Sequence, residues 1–259
     1  MKKLIGAFLS CLVALSSALA QWDRKPYSDW SEKEAAKLLS DSPWAQTQTF
    51  SDLSQLTGNA RLASGASRIG EEFHVNFRIR FLSARPVRQA TARMMEIQNK
   101  GELSAPLEKQ LRAFAAADFP DYVVITVTVD SPRPSNHLQQ ATLMLAKMTT
   151  ADLQNNTYLL AGNGQKVFIK EYQPPRNDGL GARFIFPRLI DGKPFIMAET
   201  ESVLFHSEMM AAKATSSPGS DPAQQVGPSP SSSITPFSEF ILNMRFKIRD
   251  MMFGGKLEY

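Results

Sequence analysis

Phe240-Ile-Leu-Asn-Met-Arg-Phe-Lys-Ile-Arg249 decides how this chain is organised. Phe240, Leu242, Met244, Phe246 and Ile248 alternate with Ile241, Asn243, Arg245, Lys247 and Arg249. That two-residue period predicts a strand with one buried and one solvated face. An amphipathic strand is not stable by itself and must pair with a sheet built elsewhere in the chain. The preceding tract, Lys213 to Pro236, is dominated by Pro, Ser, Gly and Gln, a composition that cannot bury enough apolar surface to order itself. Such a tract ordinarily marks a domain boundary. Here it reads as a disordered internal loop, because loop-closure entropy grows only logarithmically with length and the last strand has to return to the sheet. Residues 21 to 259 are therefore expected to form one domain.

Working back along the chain, Phe73, Val75, Phe77, Ile79 and Phe81 alternate with His74, Asn76, Arg78 and Arg80 in the clearest strand of the sequence. Tyr122 to Val129 is a second. Its polar positions are Thr126 and Thr128, only partly polar, which suggests a place inside the sheet. Asn163-Gly164 and Asp191-Gly192 are hairpin turns, since these residues tolerate positive φ. The first joins Tyr158–Leu160 to Val167–Tyr172 and the second joins Phe184–Leu189 to Pro194–Ala198, with a further short strand at Val203–Phe205. Residues 51 to 70, rich in Ser, Gly and Ala, read as loop with room for one short strand.

Helices are predicted after Ser31, where Glu34 completes a capping box, and through Val87–Ile97, where Ser83 and Pro86 suit a start. Ser104-Ala-Pro106 opens another to about Ala117, and Ser135 caps one carrying Leu138, Ala141, Leu145 and Met148. The expectation is an α+β fold, mainly an antiparallel sheet of seven or eight strands with three or four helices.

The N-terminal segment sets the compartment. Lys2 and Lys3 precede the apolar run Leu4–Leu15, and Ala18-Leu19-Ala20 supplies the small-x-small pattern that a signal peptidase cuts. Cleavage between Ala20 and Gln21 is expected, giving a periplasmic or secreted protein. A lipid anchor at Cys11 would require cleavage just before it, which leaves a very short apolar region. Cys11 is the sole cysteine, so it leaves with the signal and the mature chain holds no thiol. That excludes disulfides, cysteine nucleophiles and thiolate metal sites together. Losing two lysines lowers the formal charge from +4 to +2, too little to imply nucleic acid as a partner. No second long apolar run follows, so no transmembrane segment is expected.

Catalytic signatures do not emerge. His74, His137 and His206 lack metal-type spacing, there is no Gly-x-Ser-x-Gly elbow, and Gly58, Gly65 and Gly70 fit no phosphate cradle. No cofactor is implied. Glu199 and Glu201 form a conceivable carboxylate pair, but residues 199 to 202 read as a polar turn. The methionine doublets read as core filling, because adjacent residues point to different faces. The candidate ligand-binding residues are Trp30 and Trp44, whose indoles offer stacking surfaces, and the cations Arg78, Arg80, Arg245 and Lys247, which suit an anionic ligand or envelope polymer.

Trp30-Ser-Glu-Lys-Glu-Ala-Ala-Lys-Leu-Leu-Ser-Asp-Ser-Pro-Trp44 resembles a set of exported bacterial proteins of unknown function, which similarly begin with a Trp-bracketed helix after the signal. Phe186-Pro-Arg-Leu-Ile-Asp-Gly-Lys-Pro194 and the ending Phe246 to Tyr259 are similar to that set as well. The resemblance implies bacterial export and carries no activity or site residues. The expected function is that of an exported, non-catalytic binding or envelope-associated protein of unknown ligand. The alternatives are a hydrolase with an unrecognised carboxylate site and a carrier of an apolar ligand.

Overall fold

A computed structural model describes residues 22–51, 74–99, 102–210 and 239–259. The expected signal peptide, most of the Ser/Gly/Ala loop and the Pro/Ser tract lie outside the described residues. Helix α1 (Glu32–Leu38) starts in the expected capping box, the Glu34 N–H donating to the Ser31 hydroxyl and the Ser31 N–H to the Glu34 carboxylate at 2.8 Å. Strands β1 (Ala45–Phe50) and β2 (Val75–Phe81) follow, then helices α2 (Arg85–Gln98) and α3 (Ala105–Ala116). Ser83 does not cap α2. Its hydroxyl accepts from the Val124 N–H instead and ties the helix entry to the next strand.

Strand β3 (Tyr122–Asp130) leads to α4 (Asn136–Lys147), capped by Ser135, and to the single turn α5 (Thr150–Leu153). Then come β4 (Thr157–Ala161), β5 (Lys166–Phe168), β6 (Glu171–Gln173) and β7 (Ala182–Pro187). Two-residue strands β8 (Leu189–Ile190) and β9 (Lys193–Pro194) flank Asp191-Gly192. The chain continues through β10 (Ser202–Met210), β11 (Glu239–Lys247) and the small hairpin β12 (Met252–Phe253) and β13 (Lys256–Leu257).

The fold is α+β, and its strands form two main antiparallel sheets. One has the order β1-β2-β3-β7-β6 and the other β11-β10-β4-β5. As Thr126 suggested, β3 is the central strand of its sheet, and that threonine is buried. The C-terminal strand β11 returns to pair with β10 over nine positions.

Both sheets turn their apolar faces toward each other. Phe81 meets Phe246 at 4.8 Å, Phe77 meets Phe240 at 5.1 Å, and Phe184 meets Phe205 at 5.4 Å. These six rings are fully buried, so the space between the sheets is filled by side chains.

The two rims are closed differently. On one, the chain runs from β5 of one sheet straight into β6 of the other, with the Ile169 N–H donating to the Thr157 carbonyl and the Lys170 N–H to the Ile185 carbonyl. The expected single strand Val167–Tyr172 is thus two strands of different sheets. On the other rim, β1 and β11 are joined by glutamine side chains. Gln48 donates to the Ile241 carbonyl and accepts from the Asn243 N–H, both at 2.9 Å, while Gln46 donates to the Arg245 carbonyl at 3.1 Å. A primary amide carries the same donor and acceptor as a peptide group, so Gln48 completes a ladder position on β11.

Other departures from expectation are local. Phe184–Pro187 pairs with β3 rather than across the Asp191-Gly192 turn, and Val203–Phe205 lies in the first half of a nine-residue strand. Gly181, at φ +84°, brings β7 so close to β3 that a Cβ there would collide with the Val127 carbonyl.

Candidate functional site

The outward face of β5-β4-β10-β11 is open to solvent and gathers several polar and aromatic side chains. The Asn163-Gly164 turn, with Gly164 at φ 87°, sets the hairpin register so that Phe168 lies opposite Tyr158 and Lys166 opposite Leu160. Pairing with β10 and β11 then extends two outward rows. One is Phe168–Tyr158–His206–Asn243 and the other Lys166–Leu160–Leu204–Arg245. Every side chain in these rows is partly or fully exposed.

Within the first row each group rests on the next. Phe168 meets Tyr158 edge-on at 5.7 Å, and Tyr158 stacks on His206 at 4.6 Å with planes 27° apart. The Lys166 ammonium sits 3.7 Å from the Tyr158 ring centroid and 5.5 Å from that of Phe168, a cation–π arrangement. His206 Nδ1 is 2.7 Å from Asn243 Oδ1, and Nε2 is 3.3 Å from Glu208 Oε1. The His206 side chain is only 12% exposed, so this row is braced rather than loose. Beside it, Arg245 donates from Nη1 to the Ser202 hydroxyl at 2.9 Å, and Lys247 is exposed. The face thus presents an aromatic and imidazole ridge flanked by the cations Lys166, Arg245 and Lys247.

Arg78 and Arg80 lie elsewhere, on the outward face of the five-stranded sheet. Arg78 Nε contacts Asp130 at 2.5 Å across the β2–β3 ladder, and Asn76 donates to the same carboxylate at 3.1 Å. Burial alone would raise the Asp130 carboxyl, but hydrogen bonds from Arg78 and Asn76 outweigh it and hold it below the usual range. Arg80 Nε donates to the Leu39 carbonyl, just after α1, at 2.6 Å. Burial, with the like charge of Arg78 adding to it, pushes its guanidinium down to about 10. The structure therefore does not join Arg78 and Arg80 with Arg245 and Lys247. They are on different sheets, and the like-charge repulsion expected of neighbouring strands does not arise.

Trp30 and Trp44 are 1% exposed. Trp30 packs edge-on against Trp22 at 5.9 Å and Tyr27 at 6.4 Å. Trp44 meets Phe253 at 6.1 Å and donates its indole N–H to the Glu258 carbonyl at 2.8 Å, tying β1 to the C-terminal hairpin. Their rings are covered, and in this structure both serve packing rather than stacking of a ligand. Glu199 and Glu201 are exposed on the loop before β10. Met209 and Met251 are fully buried, while Met252 is 42% exposed, so the residues of the last doublet do point to different faces.

Tyr158, Lys166, Phe168, His206, Glu208 and Asn243 were not among the candidate ligand-binding residues read from the sequence, and His206 was considered there only as a metal ligand. A two-residue turn at Asn163-Gly164 would have set Phe168 opposite Leu159; the observed loop also takes in Gly162, between Ala161 and Gln165, and this shift of one residue brings Phe168 to the same face as Tyr158. Nothing in the sequence aligned β10 with them. Among the described residues no group of three or more His, Cys, Asp or Glu side chains is placed to hold a metal ion, and no helix is long and apolar enough to cross a membrane. Compared with protein-family models, curated proteins and solved structures, the chain matches none.

Proposed function

We propose that this chain is an exported, non-catalytic binding protein that engages an extended anionic polymer of the bacterial envelope or its surroundings through the outward face of β5-β4-β10-β11. The observation that carries this reading is the braced Phe168–Tyr158–His206 ridge with Lys166, Arg245 and Lys247 beside it. Small substrates are held in concave sites that bury most of their surface, whereas an open sheet face suits a polymer contacted along its length. Exposed cations attract such a polymer and set its register, and the exposed Phe168 ring adds stacking area. The packed phenylalanines between the sheets weigh against an apolar cargo. Export rests on the N-terminal sequence and on the Trp30–Trp44 resemblance. It predicts Gln21 as the N-terminus of protein recovered outside the cytoplasm.

Residues 21–259 should bind polygalacturonate, an acidic polysaccharide, and not neutral dextran of similar length. The double variant Lys166→Glu/Arg245→Glu should weaken that binding at least about tenfold, and added salt should weaken it further. Equal binding of both polymers, or an unaffected variant, overturns the reading.

A further inference from the structure

A concavity of about 710 Å³ opens among the helices, between the turn Tyr27–Asp29, α2 and α3. Its walls carry two guanidinium–carboxylate pairs. Arg93 Nη1 lies 3.1 Å from Glu96 Oε2 on α2, and Arg112 pairs with Glu108 on α3. Arg93 is held further by its Nε, which donates to the Trp30 carbonyl at 2.7 Å. The Arg93 and Glu96 side chains are 26% and 19% exposed, so this pair is fixed in place, whereas Arg112 and Glu108 are freer. Tyr27 stands between the pairs. Burial, then the Glu96 carboxylate, raises its phenol above the ordinary value. Ile97 and Leu103 add apolar lining.

We propose that this cleft binds a small zwitterion with an apolar side chain, a free amino acid or the like. The ligand carboxylate would contact Arg112 and its ammonium Glu96 or Glu108, with the side chain against Ile97 and Leu103. The charge balance points to this class. Each cation in the cleft already has a carboxylate partner, so a simple anion or a simple cation meets as much repulsion as attraction. A molecule carrying both charges a few ångströms apart bridges the two pairs and meets a partner for each. This site is independent of the polymer-binding face and can stand or fall without it.

Residues 21–259 should be titrated with L-leucine, L-isoleucine and L-phenylalanine by calorimetry and thermal shift, with 4-methylvalerate and isoamylamine, the leucine skeleton without its ammonium or its carboxylate, as probes lacking one charge each. At least one amino acid is expected to bind saturably and raise Tm, and neither single-charge probe to do so. Arg112→Gln and Glu108→Gln change an exposed pair that the fold does not need. Each should weaken amino-acid binding about tenfold or more while leaving the ligand-free melting temperature nearly unchanged. Binding by none of the amino acids, equal binding of a single-charge probe, or undiminished affinity in both variants overturns the proposal.

Discussion

Strands β2 and β11 carry nearly the same code, an apolar face alternating with cations, yet the cations end in opposite circumstances. Their inward faces meet in one interior, where Phe81 touches Phe246 and Phe77 touches Phe240. Outward, β2 has a strand on each side. Its arginines find Asp130 across the ladder and the Leu39 carbonyl beyond α1. Strand β11 is paired on one side only, and glutamine side chains seal the other, so among the described residues Arg245 donates to the Ser202 hydroxyl and Lys247 is exposed. A row of cations on a strand becomes structure when the strand is internal and accessible surface when it is at an edge. Sequence alternation specifies the row, and strand order decides its use.

Removing β11 breaks the comparison outright. Deleting residues 237–259 takes away nine paired positions and the buried side chains of Phe240, Leu242, Phe246 and Ile248. The remaining chain should show no cooperative melting transition by circular dichroism, and a retained transition would refute the one-domain assignment. Less drastically, Phe81→Ala and Phe246→Ala should each destabilise by about 3–5 kcal/mol in denaturant titrations, because each leaves a ring-sized void in a filled interior. The two rings contact edge-on at 4.8 Å, so the double variant should fall short of additivity by about 0.5–1.5 kcal/mol. Strict additivity would mean that the sheets do not meet at these rings.

The seam tests how an edge is kept. Gln48→Ala deprives the Ile241 carbonyl and the Asn243 N–H of their partner, at a cost of about 1–2 kcal/mol. Hydrogen exchange at Asn243 should accelerate more than at Val203 or Phe205, which lie in the interior strand β10. Uniform acceleration would show that the seam opens only with the whole fold.

What was legible in the sequence divides along the same line. The alternations of β2, β3 and β11, the Ser31–Glu34 box, the Ser135 cap and the Asn163-Gly164 turn were readable, because each is set by residues within a few positions of one another. Ala45-Gln-Thr-Gln-Thr-Phe50 was not recognised as a strand. Its inward positions include Gln46 and Gln48, which look solvated until β11 is beside them. The split of Val167–Tyr172 was hidden because Ile169 and Lys170 continue the alternation while the partner changes from β4 to β7. The outward face of β5-β4-β10-β11 was half visible. Arg245 and Lys247 were named from their own strand, but His206 joins Tyr158 only through pairing across 48 positions of sequence. Trp30 and Trp44 were named for rings that stack, and the same rings proved equally suited to the core.

The smallest expected effects separate the two cation rows most cleanly. Asp130→Asn should cost about 1 kcal/mol at neutral pH, since the contact with Arg78 is half exposed and solvent screens it. The larger signature is in its pH dependence. The folded-state Asp130 carboxyl titrates below its ordinary value, so its contribution is present above that value and is lost as the pH falls through the lower, folded one. Glu34 behaves likewise, held at about 2 by hydrogen bonds from Lys25 and Ser31. The wild-type chain should therefore lose stability in acid more steeply than the Asp130→Asn variant, because that variant has already lost one of these carboxylates. Arg245→Ala should change stability by less than about 0.5 kcal/mol and leave the acid profile superimposable on wild type. If Arg245→Ala altered the acid profile as Asp130→Asn does, the edge row would be as structural as the internal one, and the outward face of β11 would lose its claim to be free for a ligand.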